Sequence, residues 1–454
     1  MAASPHASPA APGRPRYALW PAVAATVITG LGFASIKFVL IGEQAMVFDP
    51  EHIRLLPFEW MRQVMTACTQ QNLAREAITQ GLAAVLTLGV LLGYVINCPL
   101  AGAWRAAPMF ALSCVGVGAA SLLAIALNAW AIALVIGMCY GAACAARGKV
   151  IPLLAEGTGR HNTFVSGLMN ASLVIGLLAG TVVGLGLADA FIGSAAGNAA
   201  DGTPRPPKPP FLLAAPWLAH ACVAGMFAVG VAIALRVRTP DSPTIPFATG
   251  LRHLIGDTAD LLRRHWALLV SGGIIWGVAA AASLTVLVWS ITEVKMPPVV
   301  AGTISVFAAV GAIIGNLVSD RINRRRWAVA CLLGLTACLF LVEHVLVGYV
   351  SGAVLMTIVG VLFAAPANIV DARLLHLANS EGVPGRGSTV MSLVHNLFIL
   401  LVGVGLAVPL FLGVIKAVHQ FWILAGFVLL AAVVTLFAEL RPQGGTSTDL
   451  PKVD

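Results

Sequence analysis

Gly315-Asn316-Leu317-Val318-Ser319-Asp320-Arg321-Ile322-Asn323-Arg324-Arg325-Arg326 closes one long apolar run and opens the next. Residues 298–319 before it and 327–347 after it each reach the length of about 20 residues that a helix needs to cross hydrocarbon. A short hinge carrying four arginines between two such runs is the kind of loop that stays on the cytoplasmic side. The same reading extends outward in both directions. Twelve apolar stretches are expected to span, at 17–45, 76–97, 106–126, 129–149, 164–188, 212–235, 267–291, 298–319, 327–347, 349–372, 388–412 and 420–440. With the N-terminus placed inside, 19 of the 27 Lys and Arg fall in cytoplasmic segments and 7 in external ones, with Lys37 inside the first span. That alternation predicts a multi-pass protein with both termini cytoplasmic.

Composition agrees. The chain is 59% hydrophobic and 10% charged, against roughly 25% charged in a soluble domain. Lipid must cover that much apolar surface, so the bilayer is the first partner. The net charge of +8 belongs to loops facing anionic headgroups and is no nucleic-acid footprint. The eight cysteines show no metal spacing, and most sit within spans, where Cys behaves as a small apolar residue. No cofactor and no metal site is expected. No Gly-Lys-Ser/Thr phosphate loop occurs. His253 and Asp257 lack the four-residue separation of the acyltransferase His–Asp pair. No acid, base and nucleophile converge at one depth, so the chain does not read as an enzyme.

The expected fold is all-α and integral to the membrane, with twelve transmembrane helices in two pseudo-symmetric six-helix bundles. Residues 1–16 read as a disordered cytoplasmic tail and 17–235 as the N-terminal bundle. Residues 236–266 read as a central cytoplasmic loop, 267–441 as the C-terminal bundle, and 442–454 as a second tail. Within the central loop, Leu251, Leu254, Ile255, Thr258, Leu261 and Leu262 fall at helical spacing beside Arg252, Arg263 and Arg264. This is a helix on the inner membrane surface or a simple tether. The halves echo one another: Glu156-Gly157 precedes Asn170 by 14 residues, and Glu381-Gly382 precedes His395-Asn396 by 14 or 15. Repeated halves are how many secondary transporters are built.

The Gly315–Arg326 stretch resembles the cytoplasmic signature of the major facilitator superfamily: a Gly, an acid a few positions on, then a basic cluster. The resemblance implies a gating role for Gly315, Asp320, Arg321 and Arg324. The copy after the second span, Gly93 to Arg105, carries Asn97 where the acid should stand. Within the superfamily the chain is similar to the bacterial lysophospholipid transporters. The likeness lies in Ala142–Arg147–Lys149 through Glu156, in Ser166-Gly167-Leu-Met-Asn170-Ala-Ser172, in Trp276-Gly277 through Trp289, and in Pro366-Ala-Asn368 with His395-Asn396. That family has Gly-Asp-Asn in the middle of span 1, whereas Gly32-Phe33-Ala34 stands here without a carboxylate. The external loop 47–75 has no match in it. The resemblance implies alternating-access transport of a lysophospholipid to the cytoplasmic leaflet of a bacterial inner membrane. It also implies a coupling ion and a functional link to an acyltransferase. A transporter or exporter of small hydrophobic solutes on the same fold is the alternative, strengthened by the missing carboxylate.

Eight residues are candidates for substrate binding. Thr26, Phe33, Lys37 and Gln44 share a helical stripe. Lys37 either faces the central cavity and holds an anionic group such as a phosphate, or snorkels to outer headgroups. Arg147, with Lys149, Glu156 and Arg160 beyond it, forms either a basic inner mouth or ordinary positive-inside anchors. Asn170, His395 and Asn396 either glue helices or meet substrate, and His395 alone could carry a proton near neutral pH. Trp276 and Asn368 complete the set. Asp371 and Arg373 read as the end of span 10, a mirror of the Asp320 gate.

Overall fold

The protein is described by a computed structural model covering residues 17–42, 74–103, 105–124, 129–159, 162–191, 217–240, 246–322, 325–380, 386–412, 414–415 and 418–440. Twelve helices and no strand occur among these residues. They are α1 (Trp20–Ile41), α2 (Ala74–Ala103), α3 (Ala106–Leu123), α4 (Ala129–Thr158), α5 (Asn162–Phe191) and α6 (Trp217–Ala234). The second six are α7 (Phe247–Thr292), α8 (Pro298–Ile322), α9 (Arg325–Val345), α10 (Tyr349–Ser380), α11 (Arg386–Phe411) and α12 (His419–Leu440). Ten are long and apolar enough to cross a membrane. The apolar parts of α3 and α8, Ala107–Leu123 and Val299–Gly315, are shorter. At a rise of about 1.5 Å per residue, α3 reaches about 27 Å, just under the hydrocarbon thickness. The tails, loop 47–73, Gln44, Arg160, Ser194–Pro210, Glu381 and Gly382 lie outside the described residues.

Small residues decide how the helices meet. Gly89 and Gly93 of α2 lie so close to α4 that a Cβ on either would strike the Leu134 or Met138 carbonyl oxygen. Gly137 and Gly141 return the contact, and a Cβ at Gly141 would come within 2.5 Å of the Val90 carbonyl oxygen. This is a small-xxx-small crossing, in which missing side chains let backbones touch and dispersion replaces the hydrophobic effect that lipid cannot supply. The α8–α10 crossing is built the same way. Gly311 faces Thr357, Gly315 faces Val361, and Gly360 faces Ala308 and Ala312. On α5, Gly176, Gly180 and Gly184 abut Val27, Leu31 and Ser35 of α1, and Ser35 donates a 3.2 Å hydrogen bond to the Gly180 carbonyl.

The pairings repeat. Among α1–α6 the principal partners are α1–α5, α2–α4, α3–α6, α3–α4 and α1–α6; among α7–α12 they are α7–α11, α8–α10, α9–α12, α9–α10 and α7–α12. Each pair in the second set is the first with six added to both helix numbers. Between the sets, α2 packs on α11 and α8 packs on α5, which again exchange under the same shift. Helix α2 also touches α7.

Two expectations need correction and one holds. The surface helix and the seventh span follow one another within α7, divided by a kink at His265, where φ −127° and ψ 30° leave the helical region, next to the boundary expected at 266/267. Its apolar stripe is divided: Leu254 and Leu261 are buried, while Ile255 and Leu262 are exposed. Gly250 sits against Pro99 of α2, so the segment docks on protein as well as facing outward. Helix α10 runs on to Ser380, more than two turns past Asp371, so that carboxyl lies inside the helix and not at its end. Finally, α4 continues through Pro152 to Thr158, which puts Arg147 about three turns and Lys149 about two and a half turns before its end.

A small cleft and its filled counterpart

Thr26 and Thr29 of α1, Phe110 of α3, Tyr140, Ala143, Cys144 and Arg147 of α4, and Leu173 of α5 line a small cleft among the first six helices. Two sequence candidates, Thr26 and Arg147, therefore meet in one place. Thr26 is buried; its hydroxyl donates to the Ala22 carbonyl at 2.8 Å and lies 3.7 Å from the Met169 sulfur. Thr29 donates to the Ala25 carbonyl at 2.8 Å. Both hydroxyls thus satisfy their own helix while leaving oxygen lone pairs toward the cleft. Arg147 is half-buried and supplies its positive charge. Aromatic and aliphatic walls with few polar groups suit an amphipathic ligand. The opening is too small to admit an acyl chain as it stands.

Lys37 is not part of this cleft. Phe33, one turn earlier, stacks on Tyr140 with centroids 3.8 Å apart and planes 8° apart. The pair stands between Lys37 and the cleft along α1. The Lys37 ammonium lies 5.4 Å from the Phe38 ring centroid, a cation–π distance.

The second polar group lies among α7, α10 and α11. His395 Nε2 is 3.4 Å from Asp371 Oδ1, with side chains 12% and 14% exposed. The Trp276 indole N–H donates to Asp371 Oδ2 at 3.1 Å. Asp371 Oδ1 is buried and accepts no hydrogen bond. The Trp276 and His395 rings lie 5.7 Å apart, and Phe363 meets Trp276 edge-on at 5.4 Å. Gly272 makes the room: a Cβ there would come within 3.2 Å of the imidazole. Trp276 and His395 were sequence candidates from separate spans, and the fold joins them to Asp371.

These two places correspond. Gly137 faces Leu86 and Val90 as Gly360 faces Ala308 and Ala312, which aligns Tyr140 with Phe363 and Arg147 with Val370. Gly176 faces Val27 and Leu31, and Phe398 faces Gly273 and Gly277, which aligns Thr26 with Gly272, Gly30 with Trp276, and Leu173 with His395. The contact between Gly30 and Leu173 is the counterpart of that between Trp276 and His395. Asn170 consequently matches Ser392, one turn from His395, and the paired spacing read from the sequence is off by that turn.

The remaining candidates disperse. Asn170 is half-buried outside the cleft lining. Asn396 turns its amide to the Ser392 carbonyl at 2.8 Å, a bond within its own helix. Asn368 is exposed, one turn before Asp371 on α10. Gly315 serves the α8–α10 crossing. The side chains of Asp320 and Arg321, and all of Arg324, lie outside the described residues. Asn97, in the acid's place after α2, donates to the Gly93 carbonyl at 2.6 Å on its own helix.

One group escaped sequence reasoning. Gln80 of α2 donates to Gln420 of α12 at 3.1 Å and to Thr285 of α7 at 3.3 Å, and Thr285 lies 3.4 Å from Gln420. All three are buried. At the other end of α2, Tyr94 donates to the Thr389 carbonyl of α11 at 3.2 Å. Helix α2 is therefore bonded to the second set of helices at both ends. A polar residue early in an apolar run was the only signal available for Gln80.

No protein-family model matches the chain, and no curated protein matches it.

Proposed function

We propose that the chain is a secondary transporter of the major facilitator fold, with twelve spans in two six-helix bundles that rock about a central path. The observation that carries this reading is the recurrence of the helix pairing from α1–α6 in α7–α12, with the small cleft of the first set and the polar cluster of the second at corresponding places. Repeated bundles with sites at the repeat interface are the architecture of alternating access. In this reading both termini and the Phe247–Arg264 surface helix face the cytoplasm of a bacterial cell. Gln80, Thr285 and Gln420 close the external end, and Tyr94 with Thr389 braces the internal one.

The cargo is a lysophospholipid moved to the cytoplasmic leaflet, where an acyltransferase could consume it. Arg147 would meet the phosphate with a bidentate fork, Thr26 and Thr29 would accept from headgroup donors, and the apolar walls would follow the chain once the bundles part. Small hydrophobic solutes are a second reading, favoured by the small size of the cleft.

Proteoliposomes loaded with labelled lysophosphatidylethanolamine test both. Protein-dependent movement of the lipid between leaflets is expected. Movement of small lipophilic solutes without the lipid would replace the first reading by the second. Absence of any flux in correctly inserted protein would remove both.

A further inference from the structure

We propose that Asp371 and His395 together bind one exchangeable proton, and that loading and release of this proton is linked to opening of the path. The inference rests on the transport reading for its purpose, but the site itself rests on geometry alone. A carboxyl group and an imidazole face each other at 3.4 Å between α10 and α11, both largely shielded. One carboxyl oxygen takes the Trp276 N–H, and the other, buried, accepts no hydrogen bond. A buried carboxylate with an unsatisfied oxygen is costly among apolar helices. A single proton removes the cost. Placed on His395 it gives an ion pair, and placed on Asp371 it gives a neutral acid beside a neutral base. Either way the pair carries no net charge while the surrounding helices stay closed. Without the proton the pair carries one negative charge, a form that only contact with water can support.

This ties protonation to conformation. A proton arriving from water on one side bonds to the Oδ1–Nε2 pair and neutralises it, and the helices can then close over it. Opening to the other side rehydrates the pair, and the proton leaves to water there. No other bond forms or breaks. Gly272 keeps the α7 face clear of the imidazole, and Trp276 orients the carboxyl from the same helix. Trp276 is thus a positioning residue. Charged and titratable groups on the elements packed against the pair include Arg252, His253, Asp257, Asp260, Arg263, Arg264 and His265 on α7, all seven residues or more before Gly272, Arg373 on α10, Tyr94 and Cys98 on α2, and Cys144, Arg147 and Lys149 on α4. At the matching place among the first six helices stand Leu173, Gly148 and Gly30, so the proton site belongs to one half only.

Infrared difference spectra of the reconstituted protein, taken from about pH 4 to about pH 9 to cover carboxyl and imidazole titrations, read the proton directly. A carboxyl C=O band that appears on acidification, disappears in Asp371→Asn and moves along the pH axis in His395→Gln supports the site. The same band in Lys37→Met controls for general effects of a substitution. A band that is absent, or unchanged in both Asp371→Asn and His395→Gln, overturns it. The link to opening is read in the same vesicles by imposing a pH gradient. Lipid movement accelerated several-fold by the gradient, with the acceleration lost in both variants and kept in Lys37→Met, supports it. Movement indifferent to the gradient overturns the link. If nothing is transported while the band behaves as stated, the transport reading fails and the proton site stands on its spectrum.

Discussion

Two equivalent places in the molecule have been filled in opposite ways. Among α1–α6, small and hydroxyl side chains at Gly30, Thr26 and Ala143 leave a cleft, and Arg147 lends it a positive charge. Among α7–α12 the matching positions hold Trp276, Gly272, Pro366 and Val370, with His395 in the place of Leu173. There the large rings close the space, and the charge is a carboxyl one residue past Val370. The same packing of backbones thus supports a small cleft on one side and a dense polar cluster on the other. A repeat fixes where helices cross. What lies in the crossing depends on a few side chains.

The largest effect is expected where the comparison rests on backbone contact. Gly137→Leu and Gly360→Leu each drive a side chain into a facing carbonyl at corresponding crossings. Overpacking of this kind costs about 1–3 kcal/mol in adaptable cores, and a backbone cannot adapt as a side chain does. Both variants should lose most of their yield of monodisperse protein and melt at clearly lower temperature. A tolerant Gly360 beside an intolerant Gly137 would break the claimed equivalence of the halves.

Next in size is the small cleft. Arg147→Ala should weaken lysophospholipid binding about tenfold, or about 1.4 kcal/mol, with stability unchanged. Arg147→Lys should recover only part, because an ammonium lacks the fork that engages two phosphate oxygens. Val370→Ala, the counterpart change, should leave binding as it is. Equal losses from Arg147→Ala and Val370→Ala, measured by titration of labelled lipid, would show that the two places are not divided as described.

A smaller shift should follow Gln80→Leu. It deprives Gln420 and Thr285 of a buried partner, and such a bond contributes about 1 kcal/mol, a factor of about five in the balance of closed and open forms. Thiol labelling of Ser283→Cys from the far side should rise by about that factor. The α5–α8 seam is apolar, with Gly302 packed on Leu185, so Leu185→Ala should loosen it without opening a polar path. No change in labelling with Gln80→Leu would remove the latch role.

Much of this is legible in the sequence, and what is not has physical causes. Hydropathy finds helices because lipid imposes length and polarity on each, and each of the twelve apolar runs has a helix among its described residues. It ends them at the first charge, however. Asp371 and Arg373 are therefore read as the end of span 10, although α10 runs on for more than two turns past Asp371. Thr26, Arg147, Trp276 and His395 were each visible as polar or aromatic residues in apolar runs. Which of them meet depends on the rotation of each helix about its axis. That rotation is set here by Gly89, Gly137, Gly176 and their partners, glycines that a hydropathy count does not weigh. Gln80 had no pattern around it, and its partners lie more than 200 residues away.

Lys37 is where the two ways of filling a crossing can be told apart most finely, and there the smallest effect is expected. On the helical stripe it follows Thr26 and Phe33, which suggested a cation in the same site. The stacked Phe33 and Tyr140 rings stand between them, and the ammonium rests near Phe38. A Lys so placed has a long stem with which to reach headgroups, and its charge need not enter the path. Lys37→Met keeps the stem and should leave lipid movement within about twofold of the parent, a fraction of a kcal/mol. Lys37→Ala should differ from it only slightly. Phe33→Ala opens the partition between the cleft and Lys37. If the partition is what separates them, Lys37→Met should become costly in the Phe33→Ala background and only there. Abolition of movement by Lys37→Met alone, at normal yield, would mean that the cleft extends past the stacked rings and that the first half holds two cations on one path.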